Sequence, residues 1–185
     1  YMNGLAAERI PDPTTAGDFL RRFDEGSLLA LQEAINDRRR KVWGKQSRSF
    51  RKEAIIDADG TIGETGGECK GGMDIAYNGD WGYAPLILSL TNTNEVLYVV
   101  NRSGNQTSSD GAAPWMDRAI AQVEGVFKEV WIRGDTDFSL TQNFDRWNER
   151  VQFLFGYNAY RNLIQRAEEL AQKAWKGLER PVRYK

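Results

Sequence analysis

Four aspartates in two short motifs are the residues of this chain best suited to chemistry. Asp57 and Asp59 lie in Ile55-Ile56-Asp57-Ala58-Asp59-Gly60-Thr61, and Asp135 and Asp137 in Ile132-Arg133-Gly134-Asp135-Thr136-Asp137-Phe138. Each motif ends an apolar run with acids, the pattern of a buried strand that reaches a site. Strand side chains alternate between faces, so Asp57 and Asp59 share one face and Ala58 takes the other. Asp135 and Asp137 repeat the spacing. Carboxylates crowded on one face repel each other unless a cation or a proton sits between them. Asp59 and Asp135 are 76 residues apart, yet they meet if their strands are neighbours, at the carboxyl ends where sites in open α/β sheets gather. Such a pair would make a divalent-metal site for phosphoryl transfer. Either motif by itself reads more simply as a turn, because Asp beside Gly is ordinary turn chemistry. Two such motifs, each closing an apolar strand, favour a site.

Composition narrows the chemistry further. The chain of 185 residues is 41% hydrophobic and 28% charged, a soluble globular balance with room for one core. It contains no histidine, which excludes Ser-His and Cys-His catalysis and imidazole-based zinc sites within it. Carboxylates remain, and these suit hard cations such as Mg²⁺ or Mn²⁺. Cys69 is the only thiol, so no internal disulfide forms and a reducing cytoplasm is the expected compartment. No apolar run approaches the roughly 20 residues of a membrane span, and no signal-peptide pattern opens the chain. Net charge is −1, but the cations are uneven. Arg38, Arg39, Arg40, Lys41, Lys45, Arg48, Arg51 and Lys52 form a stretch free of acids inside it, able to neutralise phosphates or simply to solvate a helix end. The first residue is Tyr1, and the closing Arg180–Lys185 run reads as the start of another element; both ends read as cuts in a longer protein.

The elements that must position the acids follow from periodicity. Residues 1–52 read as a helical lead-in. A helix starts after Pro11-Asp12-Pro13, capped by Thr14 or Thr15 with Phe19, Leu20 and Phe23 on its face. A second runs from Ser27 to about Arg40 with Leu28, Leu29, Leu31, Ile35 and Val42 at helical spacing. Residues 53–185 read as an α/β core. Its first strand is followed by a glycine-rich stretch, Gly63–Gly72. Tyr83–Thr91 and Glu95–Asn101 then form strands joined by a tight turn at Asn92-Thr93-Asn94, completing an antiparallel meander. Helix Ala112–Phe127, strand Val130–Asp135, helix Leu140–Arg150, strand Gln152–Gly156 and helix Asn162–Trp175 complete a βββαβαβα order. The last helix carries Leu163, Ala167, Leu170 and Ala174 as its stripe.

At these residues the sequence resembles the DDE-type transposases of bacterial insertion sequences, over most of residues 10–185. Ile55–Thr61 resembles the family's first-strand motif, which assigns the first catalytic acid to Asp59. Gly82-Tyr83-Ala84-Pro85-Leu86, Asn94-Glu95-Val96-Leu97 and Asn101-Arg102-Ser103-Gly104-Asn105 resemble its second and third strands. Ile132–Phe138 resembles its second signature, which assigns the second acid to Asp135. The resemblance implies an RNase H-like mixed five-stranded sheet and a nuclease and strand transferase acting on transposon ends and target DNA. It further implies two Mg²⁺ ions, for which Mn²⁺ would substitute, held by Asp59, Asp135 and a third acid, a Glu. It also implies a homodimer in the synaptic complex and a bacterial, nucleoid-associated location. The third acid is expected beyond residue 185, with Glu168 and Glu169 as solvated helix charges. The basic stretch Arg38–Lys52 would touch DNA backbone without reading sequence.

Two rival readings stand beside this one. Asp57-Ala58-Asp59-Gly60-Thr61 also fits the opening of haloacid dehalogenase-like Mg-dependent phosphatases, with Asp57 as nucleophile and Asp59 as general acid/base. Leu90-Thr91-Asn92, Lys128 and Gly134-Asp135 would supply that family's other motifs. Its sheet is parallel, however, and each parallel crossover needs about a dozen residues or more, whereas the turn at Asn92–Asn94 permits only a hairpin. A catalytically inactive DNA-binding or assembly fragment is the other. Trp43 reads as packing of the lead-in rather than a base-stacking group. Trp115, Trp131 and Trp147 read as core, Arg102 and Asn105 as loop residues near DNA or plain loop, and Lys70 as part of a flap beside the site.

Overall fold

In the computed structural model, the described residues are 12–66 and 70–177. Cys69 and the chain's closing residues, 178–185, lie outside them. Two sheets and a set of helices make up the described fold. The larger sheet contains β1 (Glu53–Gly60), β5 (Leu86–Leu90), β6 (Glu95–Val100), β7 (Glu129–Gly134) and β8 (Gln152–Phe155) in the order β6-β5-β1-β7-β8. β1 runs antiparallel to β5, and β5 to β6, while β1–β7 and β7–β8 are parallel. This is the RNase H-like arrangement, with the expected βββαβαβα order along the chain. The antiparallel neighbour of β1 is incompatible with the all-parallel layout the phosphatase reading requires.

The core lies on one face of this sheet. Ala54, Ile56 and Ala58 of β1, Leu86, Leu88 and Leu90 of β5, and Ile132 of β7 are buried. Helix α3 (Ala112–Val123) covers them with Met116, Ala119, Ile120 and Val123. It ends before the expected Phe127, because Gly125 turns the chain with φ +76°. Phe127 still joins the core, edge-on to Trp43. Trp147, on the short helix α4 (Phe144–Asn148), is fully buried with its indole N–H donating to Asp117 at 2.9 Å. Trp115 and Trp131 are only half-buried.

The N-terminal helices differ from expectation in detail. Asp12, not Thr14 or Thr15, caps α1 (Pro13–Leu20), whose apolar residues are exposed. Helix α2 (Glu25–Trp43) begins with a capping box between Asp24 and Ser27. Its inward stripe is not the apolar one. Leu28, Leu31, Ile35 and Val42 are exposed and only Leu29 of the expected stripe packs against the core, whereas Asn36 and Trp43 are buried. The reason is that the surface beneath offers polar partners. Asn36 donates to the Leu97 carbonyl at 2.9 Å, and Glu33 accepts from the Tyr98 hydroxyl at 3.0 Å and from Gln122 at 2.7 Å. Trp43 is a packing residue that donates to Glu95 at 2.9 Å.

A small sheet adds to the expected elements. β2 (Gly63–Glu64), β3 (Asp74–Ile75) and β4 (Trp81–Tyr83) pair in the order β2-β4-β3. Tyr83 therefore closes β4 rather than opening the second main strand. Regular strand geometry lapses at Ala84-Pro85, where Pro85 has no N–H to donate to a ladder, and β5 begins at Leu86. The Ala84 N–H still donates to the Arg102 carbonyl at 3.0 Å, and the Pro85 carbonyl accepts from the Thr61 N–H at 3.0 Å. Residues 140–150 form a 3₁₀ turn followed by α4 rather than one helix. The last helix, α5 (Arg161–Glu168), stops seven residues short of Trp175 and buries none of its residues.

Candidate functional site

Alternation along β1 decides where its acids go. With Ala54, Ile56 and Ala58 turned to α3, Asp57 and Asp59 stand on the opposite face, as their spacing requires. β7 lies alongside in parallel, with Asp57 opposite Arg133. Two residues further on, Asp59 lies near the end of β1 and Asp135 just past the end of β7. Both line one open cleft of about 570 Å³ at the carboxyl ends of β1, β7 and β8, together with Asp57, Arg133 and Leu154.

Asp57 and Asp59 are in opposite electrostatic states. Burial pushes the Asp57 carboxyl up, but hydrogen bonds from Arg133 and Thr91 and the guanidinium charge outweigh it and hold Asp57 below the ordinary 3.8. Arg133 grips it in two-pronged fashion, Nε to Oδ1 at 2.6 Å and Nη2 to Oδ2 at 2.7 Å, and Thr91 Oγ1 donates to Oδ2 at 2.5 Å. Asp59 is shifted the other way. Burial, then the neighbouring charge of Asp135, raise its carboxyl above 3.8; the Gly60 N–H opposes this, and Asp57 adds a smaller push upward. Asp135 opens a 3₁₀ turn (Thr136–Phe138) and accepts the Asp137 N–H at 3.0 Å. The second motif is thus not a strand alternation like the first: Asp137 sits in the turn and lines a separate, adjoining cleft with Asp135.

Asp59 and Asp135 therefore form a carboxylate pair in one cleft, while the nearby Arg133 guanidinium is engaged by Asp57. All its donors are hard oxygens, so the pair fits a divalent ion such as Mg²⁺. Among the described residues, no group of three acids or cysteines gathers closely enough to hold an ion. Glu168 and Glu169 are exposed, and neither lines the cleft.

The family model of the transposase DDE domain, group 1, matches residues 10–182. The chain belongs to that family. Comparison with curated proteins gives no match. As a transposase DDE domain, the chain is expected to act on DNA.

The basic stretch of this DDE domain lies elsewhere. Lys52 immediately precedes β1, and Asp59 is six strand steps beyond Glu53, so roughly 20 Å of strand separates them. Arg48, Arg51, Lys52 and Lys128 line a distinct cleft of about 400 Å³ at that opposite end. The stretch is also not uniformly available. Arg39 donates to Asn36 Oδ1 at 2.8 Å and the Val96 carbonyl at 2.6 Å. Arg40 donates to the carbonyls of Ala121 and Gln122 at 2.7 and 2.6 Å, capping the end of α3. Arg51 Nε donates to the Gln46 carbonyl at 3.2 Å. Arg38, Lys41, Lys45, Arg48 and Lys52 are exposed.

Arg133 is the site residue that sequence reasoning left without a role. A signal for it existed: it precedes Asp135 by the same two residues that separate Asp57 from Asp59, which in a parallel pair puts Arg133 opposite Asp57. Thr91 carried no comparable signal, because its place follows from the antiparallel pairing of β5. Lys70 donates to Thr65 Oγ1 within the small sheet's connection.

Proposed function

We propose that this DDE domain performs metal-dependent DNA strand cleavage and strand transfer, with Asp59 and Asp135 as its first two metal-holding acids. The observation that carries the reading is their convergence on neighbouring strand ends in one cleft, with the Asp59 carboxyl raised by burial and then by the charge of Asp135. Bound there, Mg²⁺ would supply Lewis acidity to the attacking and leaving oxygens of the phosphodiester. Asp59 and Asp135 would orient such ions from two strands of one rigid sheet, and a third carboxylate, a Glu, would complete the set. Asp57 and Arg133 hold the two strand ends in register and act as positioning residues. Arg38, Lys41, Lys45, Arg48 and Lys52 would contact DNA backbone at the far end of the sheet, as positioning contacts distant from the reacting phosphate. The partners are transposon-end and target DNA, with a homodimer as the acting form. No helix among the described residues is long and apolar enough to cross a membrane.

The experiment is Mn²⁺-induced paramagnetic broadening of NMR signals in the wild type, Asp59→Asn, Asp135→Asn and Asp57→Asn. Loss of one weak site in the Asp59 and Asp135 variants, with its retention in Asp57→Asn, supports the assignment. A site that depends on Asp57 and survives Asp59→Asn overturns it.

A further inference from the structure

The cleft adjoining Asp135 is used by neither the acid pair nor the basic stretch. It encloses about 550 Å³ and runs from Asp135 and Asp137 past Thr61 and Arg102 to Tyr77 and Asn105. Tyr77 lies in the turn of the β3–β4 hairpin. That turn is well tied: the Ala76 N–H donates to the Asp80 carbonyl at 2.8 Å and the Gly79 N–H to the Ala76 carbonyl at 2.9 Å. The loop after β6 braces the hairpin, since Asn105 donates to Asp74 Oδ2 at 2.6 Å. A Cβ on Gly104 would lie 2.4 Å from the Asp74 carbonyl oxygen, so only glycine permits this approach. On this firm support Tyr77 is 95% exposed. Aromatic rings normally gain from burial, and here a braced turn presents one bare, beside a cleft that reaches the acids. Arg102 adds a fixed cation, its guanidinium held by the carbonyls of Ala84, Ser108 and Asp110 at 2.9, 3.2 and 2.6 Å.

We propose that this cleft receives an unpaired nucleotide next to the phosphodiester that a metal ion at Asp59 and Asp135 would engage, with Tyr77 stacking on its base. The inference rests on the DNA-cleaving reading above and adds a subsite to it. Every base has a π face, so stacking on a tyrosine tolerates any sequence. The cleft's volume falls in the range of small-ligand sites, about 300–1,000 Å³, which suits one nucleotide. A base inside a duplex already stacks on both faces and has none to offer Tyr77, so the nucleotide must be unpaired. Asn105, Gln106, Thr107 and Ser108 line the same cleft and supply donors and acceptors for the base edge and sugar.

The test titrates the full chain, with Ca²⁺ in place of Mg²⁺, against a duplex bearing a single-stranded overhang with 2-aminopurine at its first unpaired position. A blunt duplex is titrated alongside. Wild type, Tyr77→Phe, Tyr77→Ala and Trp81→Ala are compared; Trp81 is an exposed aromatic of the same hairpin that does not line the cleft. The expected result is quenching by the wild type and by Tyr77→Phe. Tyr77→Ala should lose overhang affinity by roughly 5- to 150-fold, the scale of one stacked base, while Trp81→Ala and all blunt-duplex affinities stay unchanged. Equal overhang binding by Tyr77→Ala and wild type overturns the proposal, as does an equal loss in Trp81→Ala. A wild type that binds blunt duplex with no gain from the overhang overturns the subsite alone. One that binds neither DNA overturns the DNA-cleaving reading as well.

Discussion

Replacing Gly134 by alanine should disturb the acid pair without touching a carboxylate. A Cβ at Gly134 would lie 2.7, 2.9 and 3.0 Å from Cδ2, Cγ and Cβ of Phe138. These are the root of the ring, not a flexible tip, and Phe138 is 2% exposed within the core. The ring cannot swing away, so the strand end carrying Asp135 or the 3₁₀ turn after it must move. Overpacking of this kind costs about 1–3 kcal/mol. In a domain of this size each kcal/mol lowers Tm by roughly 2–4 °C, so Gly134→Ala should melt about 2–12 °C earlier. It should also weaken Mn²⁺ binding, because Asp135 follows directly. A double-mutant cycle with Phe138→Ala isolates the cause. Phe138→Ala alone opens a cavity costing about 3–5 kcal/mol, but it removes the ring atoms that the added methyl group would strike. The pair should therefore cost less than the sum of the singles, with a coupling on the order of 1–3 kcal/mol. Thermal or urea unfolding of the four proteins reads this directly. Additive costs, or a Gly134→Ala variant with wild-type Tm and Mn²⁺ affinity, would refute the close-packing argument.

Asp59→Asn should stabilise the metal-free protein at neutral pH, by no more than about 0.5 kcal/mol given the exposure of the site. Because the folded carboxyl titrates above 3.8, the penalty removed is present above that raised value and fades as pH falls toward 3.8; melting curves in EDTA from pH 4 to 7 should show the gap closing. Asp57→Asn should act in the opposite sense, costing about 1 kcal/mol at pH 7 since both partners of the ion pair are a third or more exposed. The stabilisation by Asp57 is present above 3.8 and is lost as pH falls through its lowered folded value, so the variant's stability should fall less steeply on acidification. Arg40→Ala should cost about 1–2 kcal/mol by uncapping α3 and leave DNA affinity unchanged. Lys45→Ala, Arg48→Ala and Lys52→Ala should do the reverse, each reducing the slope of log Kd against log salt by about one; wild-type slopes would count against DNA contact there.

The strands that carry the acids were legible because burial and alternation are local properties. Ile55 to Gly60 alternates as its sequence requires, and the three-residue link at Asn92–Asn94 predicts the hairpin that separates this fold from a parallel one. The small sheet was not legible: its strands are two or three residues long, set among glycines, and too short to show a period. Helix α2 is where its spacing predicts, but its buried face is not. Apolar spacing selects Leu28, Leu29, Leu31, Ile35 and Val42, of which only Leu29 packs against the core; the partner surface offers the Leu97 carbonyl and the Tyr98 hydroxyl, and polar residues win where hydrogen bonds await them. The same limit applies to the basic stretch, whose charge is visible in sequence while the carbonyls that engage Arg39 and Arg40 are not. At the site, the meeting of Asp59 with Asp135 follows from strand ends, but the opposed fates of Asp57 and Asp59 depend on Arg133 arriving from 76 residues away.

The order of the strands also sets the order in which the chain can assemble. β5 and β6 are joined by a four-residue turn and can pair early, whereas β1 reaches β7 only after the loop between them, and α3 within it, has closed. Long-range parallel pairing of this kind carries the larger entropy cost and forms late in folding. Asp59 and Asp135 therefore come together only near completion of the fold. A nascent or partly unfolded chain carries both acids and lacks the pair, so under the proposed function an incomplete folding product would be unable to cleave DNA.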